Sequence, residues 1–284
     1  MGCYFCKVKA LSRFLDIVLY ASLFTACCAM GLCMATERLI IGHSPPFFNS
    51  LHLLVFGSTL LIYNTPRIVR IPKAELSGDR PDPIWYYVFF FTGLVMALFA
   101  LYSQRWQLQV ASVFLSVFAF AYFLPVLPFK TRKRLRDFGW LKIIVLAGVW
   151  TMATSLLPML YWQKNISDYP FEILVRLVFI FTLCVIFDIR DIRVDISNNI
   201  STLPNKVGLR NSYLLINVTL VLFVLLSIAQ YIRYPLPGRL AGALLTAMAT
   251  RFIVTYLRRY PTERAYFILA DGVMVFYSFL LLLV

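Results

Sequence analysis

Charge is what this sequence has least of. Charged residues make up 14% of its 284 residues, and only 13 of them are Asp or Glu. A soluble domain carries about 25% charged residues and about 45–50% apolar ones. Here the apolar share is 61% and the mean hydropathy is +0.78. That balance excludes a soluble globular domain. It also leaves no room for a separate soluble domain, because apolar stretches of spanning length follow one another along nearly the whole chain. Cysteines are few, and Cys3 and Cys6 form a lone C-x-x-C pair with no second pair to complete a metal or redox site. They read as ordinary thiols. The N-terminal apolar run continues to full spanning length, unlike the short core of a signal peptide.

What is present in quantity is hydrocarbon. Candidate spans fall at Leu11–Thr36, Ser50–Ile71, Ile84–Ser103, Trp106–Leu127, Leu141–Trp162, Phe171–Ile189, Tyr213–Tyr231, Leu236–Leu257 and Tyr266–Val284. The expected fold is therefore all-α: a polytopic membrane bundle of about nine helices forming one domain over residues 1–284. Pro66 and Pro158 fall near the ends of the second and fifth spans.

The net charge of +14 raises nucleic acid as a partner, and its distribution argues against one. The basic residues alternate with the spans. One side collects Lys7, Lys9 and Arg13; Arg67, Arg70, Lys73 and Arg80; Lys130, Arg132, Lys133, Arg134 and Arg136; Arg190, Arg193, Lys206 and Arg210; and Arg258, Arg259 and Arg264. The other side keeps only Arg38, Arg105, Lys164, Arg233 and Arg239. By the positive-inside rule the N-terminus is cytoplasmic, and so are the long charged loops. The expected location is the bacterial cytoplasmic membrane, with the active face inward.

The few acids are not scattered. Glu75, Asp79 and Asp82 follow the second span, and Asp188, Asp191 and Asp195 follow the sixth. The latter three are spaced i, i+3, i+7, which places them within about 60° of one helix face. Like charges so placed repel one another, and the repulsion grows in a low dielectric. Either a cation offsets them or they form a solvated helix end paired with Arg190 and Arg193. A hard divalent ion such as Mg2+ suits clustered carboxylates and commonly shares its shell with substrate phosphates.

The segment Asp188–Gly208, DIRDIRVDISNNISTLPNKVG, resembles the second aspartate-rich motif of the UbiA superfamily of intramembrane prenyltransferases. Asp188, Asp191, Asp195, Thr202, Leu203, Pro204 and Gly208 carry the likeness, and Asn199 stands where that family often has Gly. The resemblance implies a helical bundle around a central cavity that opens to the membrane. It implies transfer of a prenyl group from an allylic diphosphate to an aromatic or other lipophilic acceptor. It also implies Mg2+ on the diphosphate, held by Asp188, Asp191 and Asp195, with Asp188 and Asp191 acting in catalysis.

The first motif departs from that pattern. After the second span the chain reads YNTPRIVRIP: Asn64 matches, but Thr65, Ile68 and Pro72 stand where carboxylates are expected. Arg67 and Arg70 bring positive charge into the same stretch. Guanidinium groups fork onto phosphate oxygens, so both are diphosphate-binding candidates, as they are equally candidates for positive-inside anchors. The segment YFLPVLPFKTRKRLRDFG loosely resembles the family's Tyr-x-Pro…Lys-Arg segment. Its Lys130 and Arg132 are candidates either for the diphosphate or for anionic lipid. Asp16, Arg176, Arg251 and Asp271 lie in or beside spans and are expected to pair inside the bundle, Asp271 in a structural Arg–Asp pair.

Three functional readings follow. One is a membrane prenyltransferase, and another is an isoprenoid-binding scaffold that keeps half of an ancestral site. The third, a transporter, is disfavoured because the acids gather at one face rather than at the midplane.

Overall fold

The computed structural model describes residues 12–69, 81–124, 135, 138–197, 200 and 202–284. Among these residues there are helices and no strand. The helices are α1 (12–20), α2 (Leu23–Ile41), α3 (Ser50–Val69), α4 (Ile84–Tyr102) and α5 (Trp106–Phe123). They continue with α6 (Leu141–Tyr161), α7 (Pro170–Ser197), α8 (Leu203–Arg233), α9 (Pro237–Arg259) and α10 (Glu263–Leu282). Eight described helices are long and apolar enough to cross a membrane: α2 and α4 to α10. α3 is as long, at 20 residues, but His52, Ser58, Thr59, Asn64 and Thr65 make it more polar. That polarity suits a helix whose neighbours, rather than lipid, receive its side chains.

Three departures from the apolar runs position the later argument. The first expected span is broken: Ser22 adopts a left-handed φ of 61° between α1 and α2. Asn64 on α3 repairs the break, donating from Nδ2 to the freed Ala21 carbonyl at 3.0 Å and to Leu60 O at 2.8 Å. Next, α7 does not stop at Ile189 but runs to Ser197, 28 residues or about 42 Å. Its last turns carry all three aspartates. Finally, α8 starts at Leu203 rather than near Tyr213. Pro204 sits in its first turn, where a missing N–H costs nothing, and Gly208 takes φ 81° to kink the helix.

Helix α6 loosens into a π-turn at Met152–Leu156, just before Pro158. A proline cannot donate to the carbonyl four residues back, so the Thr154 carbonyl is open to another donor. Thr36 Oγ1 of α2 supplies it at 2.7 Å, and Arg176 Nη2 of α7 in turn donates to Thr36 Oγ1 at 3.0 Å. Arg176 is fully buried and also reaches Glu172 Oε1 at 3.1 Å, while Gln230 of α8 donates to Glu172 Oε2 at 3.2 Å. A second buried carboxylate, Glu37, receives Asn49 Nδ2 at 3.0 Å, Trp162 Nε1 at 2.8 Å and His52 Nε2. These clusters lie at the end of the bundle away from the aspartates and tie α2, α3, α6, α7 and α8 together there.

α3 and α4 pack backbone to backbone. A Cβ on Gly93 would lie 2.7 Å from both Gly57 O and Leu61 N, and one on Gly57 would lie 2.9 Å from Ala97 N. Small residues permit this approach, which is how helices gain contact where lipid offers no hydrophobic contrast. Gly93→Val is therefore expected to lower the detergent-solubilised melting temperature by the equivalent of about 1–3 kcal/mol. Gly148→Val, where no atom lies within 4 Å of the added carbon, is the control and should shift melting far less.

Candidate functional site

At the aspartate end, the start of α2, the end of α3, the end of α5, the start of α6, the end of α7 and the start of α10 converge on a cavity of about 370 Å³. The alternation of an antiparallel bundle brings these particular ends to one face. Its lining combines an ionic set, Arg67, Lys142, Asp188, Arg190, Asp191 and Asp271, with an aromatic one, Tyr63, Tyr122, Phe123 and Trp150. Trp150 Nε1 donates to Tyr63 Oη at 2.8 Å, and the Tyr63 ring meets Phe123 edge-on at 5.4 Å. That bond spends the polar edges of both rings on each other and leaves apolar faces for the cavity. A smaller void of about 80 Å³ shares the Tyr63, Tyr122, Phe123 and Trp150 wall and continues toward Ala29, Leu115 and Leu157.

The ionic set is organised by a residue that the motifs do not name. Lys142, in the first turn of α6, places Nζ 2.8 Å from Asp188 Oδ1 and 2.9 Å from Asp195 Oδ2. One ammonium thus bridges the first and third aspartates of the i, i+3, i+7 set. Asp188 is 3% exposed and Asp195 1%. Asp191, at the edge of the same face and more open, takes a two-point ion pair from its neighbour: Arg190 Nε at 2.7 Å and Nη2 at 3.1 Å. Arg190 is further held over the Phe187 ring at 4.9 Å and the Phe267 ring at 5.1 Å. The expected shared face is real, and the cations that offset it come from the chain itself. Arg193 does not supply them.

The other candidates separate. Arg67 lines the cavity, with its guanidinium carbon 5.4 Å from the Tyr86 ring centroid. Asn64 is buried among α1, α2 and α3 with its amide nitrogen committed to the helix break, and it does not line the cavity. Thr65 turns its hydroxyl back to Leu61 O at 2.8 Å. Arg70, Lys130 and Arg132 lie outside the described residues, as do Glu75 and Asp79. Asp82 caps the start of α4, accepting from Ile84 N at 3.0 Å. Of the intramembrane charges, Asp16 pairs with Arg264 at 3.0 Å and Arg176 with Glu172. Asp271 departs from the expected Arg–Asp pair: its Oδ2 accepts from Thr25 Oγ1 at 3.3 Å, in the cavity wall. The signal for Lys142 was present in LKIIVLAGVW as a lysine one residue into an apolar run. At a helix entrance it is indistinguishable from an anchoring charge.

A divalent ion does not fit the carboxylates as they stand. Mg2+ demands near-octahedral oxygen coordination at about 2.0–2.1 Å. Asp188 and Asp195 each already commit one oxygen to an ammonium, Asp191 is held by a guanidinium, and among the described residues Asp188 Oδ2 alone of this set is left buried without a partner. Among the described residues, no group of three or more His, Cys, Asp or Glu side chains is arranged to hold a metal.

The two ion pairs differ in burial, and so in what their loss costs. Lys142→Ala leaves Asp188 and Asp195 buried without their cation. It should cost about 3–5 kcal/mol, as for other broken buried pairs. Asp191→Ala removes a half-exposed partner and should cost about 1 kcal/mol or less. Thermal denaturation of the two purified variants checks the order.

No protein-family model and no curated protein matches the sequence. Solved structures do match. A UbiA homologue from Archaeoglobus fulgidus bound to Cd2+ superposes with a TM-score of 0.63 at 11% identity, covering 95% of this chain and 100% of that one. The same homologue bound to GPP and Mg2+ gives 0.59. An apo UbiA homologue from Aeropyrum pernix K1 gives 0.62 at 14% identity, over 90% and 97% of the two chains. A digeranylgeranylglyceryl phosphate synthase gives 0.54 at 15% identity, over 96% and 98%. Over nearly its whole length, this chain has the fold of the UbiA homologues.

Proposed function

We propose that this protein is an intramembrane prenyltransferase that moves a prenyl group from an allylic diphosphate to a lipophilic acceptor. The observation that carries the reading is the polarity of one cavity. Three cations, Arg67, Lys142 and Arg190, and an aromatic wall line the same space, as an amphiphile with an anionic head and an unsaturated tail requires. The fold supports it, since a neighbour of that fold is described as bound to GPP and Mg2+ and another as a digeranylgeranylglyceryl phosphate synthase. The alternation of basic residues along the sequence supports a cytoplasmic orientation for this face.

In this reading the diphosphate enters against the three cations and the tail lies along Tyr63, Phe123 and Trp150. The allylic C–O bond breaks heterolytically and the diphosphate leaves with the electron pair. Lys142, Arg67 and Arg190 stabilise the charge that develops on the leaving oxygens, as preorganised donors do in a dry site. The aromatic faces lower the energy of the allylic cation. The acceptor then forms a new bond to that carbon and gives up a proton, for which Asp271, buried in the same wall and hydrogen-bonded to Thr25 through one oxygen, is the base. Asp188, Asp191 and Asp195 act here as positioning residues, because they hold the cations. Mg2+, where this fold uses it, neutralises diphosphate charge; at this site it would have to displace Lys142 from both carboxylates.

A second reading is favoured by one observation, the missing acids of the first motif: an isoprenoid-binding protein of the same fold that performs no transfer. Turnover separates the two. Purified protein incubated with radiolabelled prenyl diphosphates and a panel of aromatic and lipid acceptors should release diphosphate and form a prenylated product. Arg67→Ala should weaken prenyl diphosphate binding by about tenfold or more, the loss of a charge-assisted hydrogen bond. Tight binding without product from any acceptor would favour the second reading, and no binding at all would defeat both.

A further inference from the structure

The space between Asp188 and Asp195 is where the family resemblance implies a metal, and a side chain fills it. We propose that Lys142 is a built-in replacement for the divalent ion, so that this site binds its diphosphate without metal. The inference rests on the prenyl diphosphate reading above and concerns how that ligand is held.

Three observations carry it. Lys142 Nζ contacts both buried carboxylates at ion-pair distance, so it meets the same electrostatic demand that a cation between them would meet. An ammonium has three donors. Two are used on Asp188 and Asp195, and the third remains for an oxygen anion entering the cavity that Lys142 lines. The change is also matched across the cavity. In α3, Thr65 and Ile68 stand where the family resemblance implies carboxylates, and Arg67 of the same stretch lines the cavity. Among the described residues, an arginine on one side and an internal ammonium on the other supply the positive charge. A site that has given up its metals needs fewer anionic ligands and more fixed cations.

Diphosphate recognition then falls to Lys142, Arg67 and Arg190. Lysine acts as a compact point charge, and the two arginines as fork-shaped donors. The arrangement is preorganised. Lys142 is oriented by two carboxylates two turns apart on α7, and Arg190 by Asp191 and two aromatic rings.

Two measurements on the full-length protein in nanodiscs test this. The first is a Mn2+ titration followed by electron paramagnetic resonance, without any diphosphate. Wild-type protein should take up no stoichiometric Mn2+. Lys142→Ala, which uncovers both carboxylates, should gain a site for one ion, and the Lys142→Ala/Asp195→Asn double variant should lose it again. The second is binding of a non-hydrolysable geranyl thiodiphosphate by calorimetry, in EDTA and in excess Mg2+. The two affinities should agree within about threefold. Stoichiometric Mn2+ binding by wild type, or thiodiphosphate binding that collapses in EDTA and returns with Mg2+, overturns the proposal. Should Lys142→Ala fail to fold, the wild-type titration and the EDTA comparison still decide. If thiodiphosphate binds under neither condition, the prenyl diphosphate reading fails. The Mn2+ titration then still shows whether Lys142 excludes a metal.

Discussion

One ammonium between two carboxylates organises the functional end of this molecule. Three aspartates on one face of a helix near a membrane are untenable alone, because their mutual repulsion grows as water is excluded. Lys142 removes that conflict for the two buried members, and in doing so pins the start of α6 to the last turns of α7. Arg190 does the same for the third. With the charges so arranged, α7 can remain helical to Ser197 with Asp188 and Asp195 buried. The cavity then gains ionic groups in fixed geometry alongside its aromatic wall. The polar clusters of Glu37 and Glu172 brace the other end of the bundle, so α2, α6 and α7 are tied at both ends while the space between them stays open to a ligand.

The bundle was readable because hydropathy reports the membrane directly. The runs at Ile84–Ser103 and Leu141–Trp162 coincide with α4 and α6 to within a residue or so. The failures are instructive because hydropathy marks the lipid layer and not the helix. α7 outruns its apolar segment by eight residues, since the polar turns carrying Asp191 and Asp195 are still helical. α8 begins ten residues before its apolar run, with Pro204 in its first turn. The break at Ser22 left no trace in a continuous apolar stretch. It depends on Asn64, 43 residues away, to satisfy the carbonyl it frees.

The site was half legible. The spacing of Asp188, Asp191 and Asp195 announced a shared face and a need for positive charge, and the structure meets both. The identity of the cation was hidden, because Lys142 and Asp195 are 53 residues apart and a lysine at a helix entrance has an ordinary explanation. Asn64 shows the converse: a residue matching a family pattern is committed here to backbone repair. Arg67 was singled out for its charge in a stretch that had lost acids, and it does line the cavity.

The account stands on what occupies the space between α6 and α7 when a ligand is bound. An experimental structure with a non-hydrolysable prenyl thiodiphosphate, grown in Mn2+ and measured for anomalous scattering, examines that space directly. The account predicts phosphate oxygens within hydrogen-bonding distance of Lys142 and Arg190, a prenyl tail along Tyr63 and Trp150, and no anomalous peak between Asp188 and Asp195. A Mn2+ peak there, with Lys142 displaced from both carboxylates, would contradict it.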